Sequence, residues 1–508
     1  MLQMLKRVGY KVSLIGFISI QVFILYKYSH YTHYDEWVGR GLYPGLAMFS
    51  GEDLYEPKTG PHITSYGWGT ALFYSISGFA DNPKSAINIA YNLNIISTII
   101  VIISILIYTN CSRINKKIFK SHLIYTIPFI FIYILTYDKV TFCVTKIHAD
   151  MPAYIFLSIA VIIFIYNHQR ITFFKLLLIS LFLCLSFWSK LPTLTAILFP
   201  FIYLLLFKHY SLIIKYILAL LISIILTLFI PSFLYGFDDL SFYLFNHHNT
   251  GAWSDRYNLF NGENARLIKM GYFDAIPLLT RYMILYLQEY WFILIPNIFS
   301  ILYSFYVQSK SNVILFIFPL IYFLTLPSCL SALAHWGGVA NSLFITNAFG
   351  MTALLFFLFF LLKELLSQFK YSIILYPLVV LLSLPVLRTS LIAPDPDNSP
   401  QQQAYNYLIQ GNTDVYFGWY PLSHYFSQNK SLTSIEIPIW VGMQRPTGIN
   451  FSDAHFPKGS KYLATCLVGY GSVALEPYLG NMNEVPSKNE LSQWRLFEVK
   501  GKNQKDEL

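Results

Sequence analysis

The chain has 508 residues, of which 55% are hydrophobic and 12% are charged, and its formal net charge is +9. An ordinary soluble domain carries about 25% charged residues, so this composition excludes a soluble enzyme with polar domain surfaces. Intrinsic disorder needs low hydrophobicity, and a disulfide scaffold needs more than the five cysteines present, so both of these classes are excluded too. The remaining class is a polytopic membrane protein.

Long apolar runs, without the alternation of a membrane barrel, predict transmembrane helices. Each run has to be helical, because lipid cannot satisfy the hydrogen bonds of an open backbone, and prolines inside a run are not expected to divide it. The sequence therefore predicts an all-α polytopic membrane domain of about eleven helices over residues 1–390. The runs cover approximately residues 12–28, 86–108, 122–136, 151–166, 174–189, 191–207, 213–235, 290–307, 313–330, 340–362 and 371–388.

Lys and Arg gather before the first run and in the even-numbered connections, as at residues 113–120. The positive-inside rule then predicts a cytoplasmic N-terminus and, after eleven crossings, an extracytoplasmic C-terminus. The positive net charge is mostly this orientation signal, so we do not predict nucleic acid as a partner.

The composition becomes more ordinary after about residue 390, and residues 391–508 predict a small extracytoplasmic α/β domain. Helices are expected at 401–410 and 421–428, and strands at 414–418, 434–441, 461–468 and 494–500. The chain ends in KDEL, which is a luminal retrieval address in a eukaryote. We favour a bacterial plasma membrane, with the ER membrane as the alternative.

The first external loop, residues 29–83, opens with the adjacent carboxylates Asp35 and Glu36. Such a pair at a membrane surface is a candidate general base or metal site, and the simpler interpretation is a helix cap. The loop continues with GEDLY at 51–55 and SYGWG at 65–69. Aromatic residues among small ones favour contact with a sugar or a lipid, and they equally favour interface anchoring.

Three further external segments carry candidate residues. HADMP at 148–152 places Asp150 at a helix start, where a simple cap is the alternative. Lys190 is a lone cation between two apolar runs that could bind a phosphate, and a snorkelling lysine is the alternative. AHWGGVAN at 334–341 combines His335 and Asn341 with a Gly-Gly pair that also suits an ordinary turn.

Together these segments resemble the GT-C superfamily of membrane glycosyltransferases. The order is the acidic pair 35–36, GEDLY, an aromatic-glycine stretch, HADMP, the corner Lys190-Leu191-Pro192-Thr193 and GGVAN at 337–341. The resemblance covers roughly residues 1–390. It departs from the family pattern at residues 66–69, which read YGWG.

The resemblance implies that a sugar is transferred from a polyprenyl-phosphate donor to a glycan, lipid or protein acceptor on the extracytoplasmic face, with inversion. It implies Asp35 as the base, Glu36 in support, and Asp150 orienting the acceptor or a metal. Family members differ in their use of a divalent cation, so metal use stays open. The residues expected to contact substrate are Lys190, Arg40, Tyr55, His148, His335 and Asn341.

Three alternatives stay open from the sequence. A transporter or flippase of lipid-linked saccharides would need charged residues near the midplane, and no charge interrupts the core of the predicted runs. A polymerase or ligase of surface polysaccharide would share the topology and the donor class. A non-catalytic membrane subunit is the third alternative, and the intact acidic pair argues against it.

Overall fold

The architecture was taken from a computed structural model. It describes residues 36–52, 54–55, 67–111, 147–241, 252–255, 266–307, 313–335, 340–366, 400–417, 420–428, 460–466, 483–486 and 494–498.

The described part of residues 1–390 is mostly helical. Its α-helices are α1 (Glu36–Ser50), α2 (Trp68–Tyr74), α3 (Pro83–Cys111), α4 (Asp150–Asn167), α5 (Phe173–Ser189), α6 (Leu198–Leu206), α7 (Tyr210–Tyr235), α8 (Phe237–Ser241), α9 (Ile276–Val307), α10 (Val313–Ala334) and α11 (Phe344–Leu366). Short 3-10 helices cover Ser75–Phe79, Leu191–Ile197 and Ala340–Leu343, and strands β1 (Ala252–Asp255) and β2 (Arg266–Lys269) form a hairpin.

Eight of the eleven predicted runs coincide with described helices, and the other three, 12–28, 122–136 and 371–388, lie outside the described residues. Among the residues that the structure describes, five helical segments are long and apolar enough to cross a membrane, within α3, α4, α7, α9 and α10. The chain is therefore an integral membrane protein.

The structure departs from the sequence prediction at two places in the fourth external loop. Helix α9 begins at Ile276, well before the predicted start at 290, because a first helical segment that contains Arg281 and Glu289 precedes the apolar run. The two segments meet at a kink at Tyr290, whose backbone is not helical, so the predicted run corresponds to the second segment. The β1–β2 hairpin, which pairs Trp253 with Ile268, was not predicted, so the membrane domain is not purely α-helical.

Helices α4 and α5 are antiparallel neighbours joined by a short turn, with Thr172 capping the start of α5. The beginning of α4 and the end of α5 therefore lie at the same end of the bundle. Outward faces of α7 and α9 expose large apolar side chains such as Phe233 and Trp291, as expected for surfaces that face lipid. The helices continue across Pro231 and Pro296, as predicted.

The C-terminal region is a small α/β unit, as predicted. It contains α12 (Pro400–Ile409), α13 (Pro421–Ser427) and a four-stranded sheet. The sheet has the order β3-β4-β6-β5, with β3 parallel to β4 and the other pairs antiparallel. Its strands are β3 (Val415–Tyr416), β4 (Tyr462–Cys466), β5 (Asn483–Val485) and β6 (Trp494–Glu498).

Three of the four predicted strands in this unit correspond to β3, β4 and β6, while 434–441 lies outside the described residues. Strand β5 was missed, because its three residues, two of them with exposed side chains, are too few to show an apolar alternation. Helices α12 and α13 pack against α1 and α3, so this unit contacts the membrane domain. The predicted boundary near residue 390 also lies outside the described residues and stays a prediction.

Candidate functional site

A buried ion cluster occupies the end of the bundle where α4 begins and α5 ends. The side chain of Asp150 is 0% exposed, whereas those of Lys190 and His148 are 13% and 17% exposed. The Lys190 ammonium donates to Oδ1 of Asp150, and Nδ1 of His148 lies 2.5 Å from Oδ2. One fully buried carboxylate therefore holds two cationic or donor groups that keep partial access to solvent.

Helix geometry explains why residues 40 positions apart meet. Asp150 lies in the first turn of α4, where the helix dipole favours an anion. Lys190 follows directly after α5, and its backbone N–H donates to the carbonyl of Ser186 over 3.0 Å. A cation is favoured at that helix end, so both dipoles support the pair.

The Lys190 corner is fixed by hydrogen bonds from neighbouring segments. Thr193 donates from Oγ1 to the carbonyl of Lys190 over 3.0 Å, and Ser328 of α10 donates to the carbonyl of Pro192 over 2.6 Å. Ser186 of α5 donates to the carbonyl of Ala153 of α4 over 2.8 Å. The backbone that carries the ion pair is therefore restrained from several sides.

The aromatic-glycine stretch packs directly on this corner. A Cβ atom built on Gly67 would lie 1.6 Å from the carbonyl oxygen of Trp188, a contact that no side chain tolerates. Thr70 then donates from Oγ1 to the carbonyl of Ser189 over 3.2 Å. At the described positions 67–69 the stretch thus acts as a close backbone support for Lys190.

His148 is placed by two residues beside Asp150. Nδ2 of Asn341, in the 3-10 turn before α11, lies 3.3 Å from Nε2 of His148. The same nitrogen lies 3.4 Å from Nδ1, which faces Asp150, so Asn341 contacts the ring edge between the two nitrogens. Tyr74 lies with its hydroxyl 3.3 Å from the carbonyl of His148 and donates to Oδ1 of Asn94 over 3.0 Å.

The structure thus brings together four of the predicted site residues, namely His148, Asp150, Lys190 and Asn341. Tyr74 and Thr70, which support them, were missed because neither belongs to a motif or a charge pattern. Only the helix period of residues 68–74, which puts both near one face, could have suggested them.

Other predicted site residues are placed elsewhere or lie outside the described part. The ring of His335 stacks on the indole of Trp253 with centroids 4.2 Å apart, so it anchors the β1–β2 hairpin. The ring of Tyr55 is buried against Tyr235 with centroids 5.6 Å apart. Asp35 and the side chains of Glu36 and Arg40 lie outside the described residues.

Across the described ranges, no group of three or more His, Cys, Asp or Glu side chains is arranged to hold a metal ion. Both oxygens of Asp150 face cationic or donor groups, so this carboxylate is not arranged as a cation ligand. What the cluster offers is a positioned ammonium beside an imidazole, which is a set of donors for an anionic oxygen such as that of a phosphate.

No protein-family model matches the chain, and no curated protein matches it. Two crystal structures of ArnT from Cupriavidus metallidurans are similar to it, one bound to undecaprenyl phosphate and one in the apo state. Both likenesses cover 95% of this chain and 97% of that chain at 10% identity, with TM-scores of 0.48 and 0.49.

Proposed function

We propose that the chain is a glycosyltransferase that moves a sugar from a polyprenyl-phosphate donor to an acceptor on the extracytoplasmic membrane face, with inversion. The observation that carries this proposal is the buried Asp150 that holds Lys190 and His148 at the end of the helix bundle. A cation kept at the end of apolar helices suits a substrate with a lipid tail and a phosphate head group.

Lys190 is the residue expected to bind the donor phosphate. Its ammonium has three N–H donors, one of which is used by Asp150, and the side chain keeps 13% exposure. As the sugar–phosphate bond breaks, negative charge develops on the phosphate oxygens, and a fixed cation stabilises it without reorganisation. His148 is close enough to add a second donor when it is protonated.

Asp150 is expected to act through its partners. Its side chain is 0% exposed, so it is not positioned to touch an acceptor directly. It holds the Lys190 ammonium and the His148 ring in place, which makes it a positioning residue. This assignment replaces the sequence-based idea that Asp150 orients the acceptor or a metal.

Asp35 is expected to be the general base, with Glu36 in support. Helix α1 begins at Glu36, and a Cβ atom on Gly41 would lie 2.0 Å from the carbonyl of Ile147, beside His148. The start of α1 therefore belongs to the same end of the bundle as the ion cluster. In the proposed step the acceptor oxygen attacks the anomeric carbon, its proton passes to Asp35, and the bond to the phosphate oxygen breaks.

The test uses the full-length protein in lipid nanodiscs with polyprenyl-phosphate sugars, and mass spectrometry of the products. Asp35→Asn and Lys190→Met are each expected to lower transfer at least ~100-fold. Lys215→Met is the matched control, because it removes a cation from the exposed face of α7. Wild-type transfer by Asp35→Asn would exclude the base assignment.

The same assay separates the rival functions. Movement of the donor between leaflets without any new glycosidic bond would identify a flippase. Products that lengthen by successive repeat units would identify a polymerase. A cytoplasmic N-terminus and an extracytoplasmic C-terminus, in a bacterial plasma membrane, remain part of the proposal, and accessibility labelling of cysteines introduced at the two termini tests the orientation.

A further inference from the structure

The first segment of α9, residues 276–289, exposes a row of large apolar side chains although the sequence places it in an external loop. The members of the row are spaced as on one face of a helix, and the row continues into the second segment beyond the kink at Tyr290. Exposed members of the row are Ile276, Ile284, Leu287, Trp291, Ile295 and Ile298. A contiguous apolar surface of this length indicates a partner other than water.

Two polar side chains of the first segment are satisfied within the protein. Thr280 stands in the exposed row, and it donates from Oγ1 to the carbonyl of Ile276 over 2.9 Å. Arg281 donates from Nη1 to Oδ1 of Asp255 over 2.6 Å, so its charge is paired with the β1–β2 hairpin. Both contacts suit surroundings that contain little water, where an unsatisfied polar group is costly.

The turn before α9, residues 271–274, is typical of a membrane–water interface. The ring of Phe273 is 88% exposed, and its neighbour Tyr272 is exposed as well. Aromatic side chains are enriched at the level of the lipid head groups. Asp274 is also exposed, and its carboxylate favours water, so the turn belongs at the edge of the membrane and not in the hydrocarbon.

The length of α9 agrees with this depth. The apolar part Ile276–Phe305 has 30 residues. A helix of that size is about 45 Å long, and a bilayer with its head-group regions is about 40–45 Å thick. The segment therefore reaches from one head-group layer to the other, and the turn at its start lies in a head-group layer.

The buried face of the first segment holds the β1–β2 hairpin near the ion cluster. Tyr282 is buried and donates from its hydroxyl to the carbonyl of Ser254 in β1 over 2.5 Å. The neighbouring Trp253 stacks on His335 at the end of α10. Asn341, shortly after α10, contacts the ion cluster. The first segment and the hairpin thus lie at the end of the bundle that carries the candidate site.

We propose that the turn 271–274 and the first segment of α9 form an interfacial anchor, which is embedded in the lipid head-group layer and holds the β1–β2 hairpin at the membrane surface. The partner is lipid, because the exposed row is continuous with the lipid-facing row of the second segment. This inference does not depend on sugar transfer.

The test measures membrane depth with nitroxide labels on introduced cysteines. The full-length protein is placed in vesicles of phosphatidylethanolamine and phosphatidylglycerol. Collisions of the label with oxygen, which enters lipid, are compared with collisions with a water-soluble nickel chelate. For Ile284→Cys we expect an oxygen-to-nickel ratio at least about threefold above that of Gln410→Cys, because an anchored side chain contacts the acyl boundary.

Three controls define the scale. Gln410→Cys labels an exposed position just after α12 in the C-terminal unit. Phe299→Cys labels an exposed position in the lipid-facing second segment of α9. The wild-type protein, treated in the same way, gives the background from the native cysteines. For Phe273→Cys we expect a ratio between those of Phe299→Cys and Gln410→Cys, as suits the head-group layer.

Two outcomes would overturn the inference. Ratios of Ile284→Cys and Phe273→Cys equal to that of Gln410→Cys would place the segment in water. Spectral broadening of labelled Ile284→Cys that disappears on dilution with unlabelled protein would assign the row to a second copy of the chain. Leu287→Cys, in the same row, replaces Ile284→Cys if that variant does not fold.

Discussion

Asp150 in the membrane domain and His424 in the C-terminal unit are both buried titratable side chains, and their burial has opposite consequences. Asp150 in the membrane domain has the cation Lys190 on one carboxylate oxygen and the ring of His148 beside the other. His424 in the C-terminal unit, 1% exposed, accepts a hydrogen bond from the backbone N–H of Phe417 over 2.9 Å. Its surroundings are aromatic, with the ring of Tyr416 at 5.1 Å.

The difference between the two regions lies in the partner charge. Burial among aromatic rings lowers the pKa of His424 to about 3, so this histidine is neutral and belongs to the core. A buried carboxylate with a lysine beside it can remain ionised, and it then holds that lysine in one place. We therefore assign a role in the reaction to the Asp150 cluster and a role in core packing to His424.

The largest effect is expected when the charge pair of the first region is broken. Lys190→Met leaves Asp150 buried beside an apolar chain, which costs roughly 3–5 kcal/mol of unfolding free energy, and it also removes the phosphate ligand. We expect transfer to fall at least ~100-fold together with a lower melting temperature. Differential scanning fluorimetry in detergent and the nanodisc assay measure the two effects.

The double variant Lys190→Met/Asp150→Leu separates stability from function. Removing both charges is expected to restore most of the melting temperature, because no unpaired charge stays buried. Activity should stay low, because the cation is still missing. Recovery of transfer in the double variant would contradict the role given to Lys190.

A smaller loss of activity is expected when the close contact between Gly67 and the backbone of Trp188 is disturbed. Gly67→Ala places a methyl group against the carbonyl of Trp188, so the end of α5 has to shift. A displacement of this size next to Lys190 is expected to lower kcat about tenfold or more. Gly271→Ala is the control, because there the nearest atom is the flexible Oδ2 of Asp274 at 3.2 Å. Equal transfer rates of the two variants would argue against the proposal that Gly67 supports the backbone next to Lys190.

The second region predicts a dependence of stability on pH. Unfolded His424 binds a proton near its usual pKa of about 6.5, whereas the folded residue does so only at about 3. The unfolded state is therefore favoured as pH falls below about 6.5, by up to about 1.4 kcal/mol per pH unit from this group. Melting temperatures measured between pH 8 and pH 5 should fall, and His424→Gln should flatten that slope. An unchanged slope in the variant would show that other groups cause it.

Much of the fold and a part of the site follow from the sequence, for identifiable physical reasons. Apolar runs indicate helices directly, so the ends of α4 and α5 were predicted to within one residue, and those of α7 and α10 to within about four. Asp150 and Lys190 were found because isolated charges at the ends of apolar runs have few uses. Their mutual contact could not be predicted, since it depends on the antiparallel packing of α4 and α5.

The sequence is less informative where a role depends on packing between distant segments. His335 was expected to contact substrate, and the structure stacks its ring on Trp253, which is more than 80 positions away. Gln401 begins a predicted helix in a polar stretch, and nothing in that stretch indicates that its side chain is buried beside Gly39 of α1. Such contacts are set by tertiary structure, which local patterns do not encode.

The smallest change in stability is expected at an ion pair that is exposed to solvent, unlike the buried pair of Asp150 and Lys190. Arg495 of β6 holds Glu484 of β5 through two N–H donors, at 3.0 and 2.7 Å, and the two side chains are 36% and 49% exposed. Water screens such a pair, so Arg495→Met should change the unfolding free energy by about 0.5 kcal/mol or less. The same substitution at Lys190 is expected to cost several times more. Both changes remove a cation from a carboxylate, so the ratio of the two melting-temperature shifts measures the effect of burial. Similar shifts would contradict the importance given to the buried cluster.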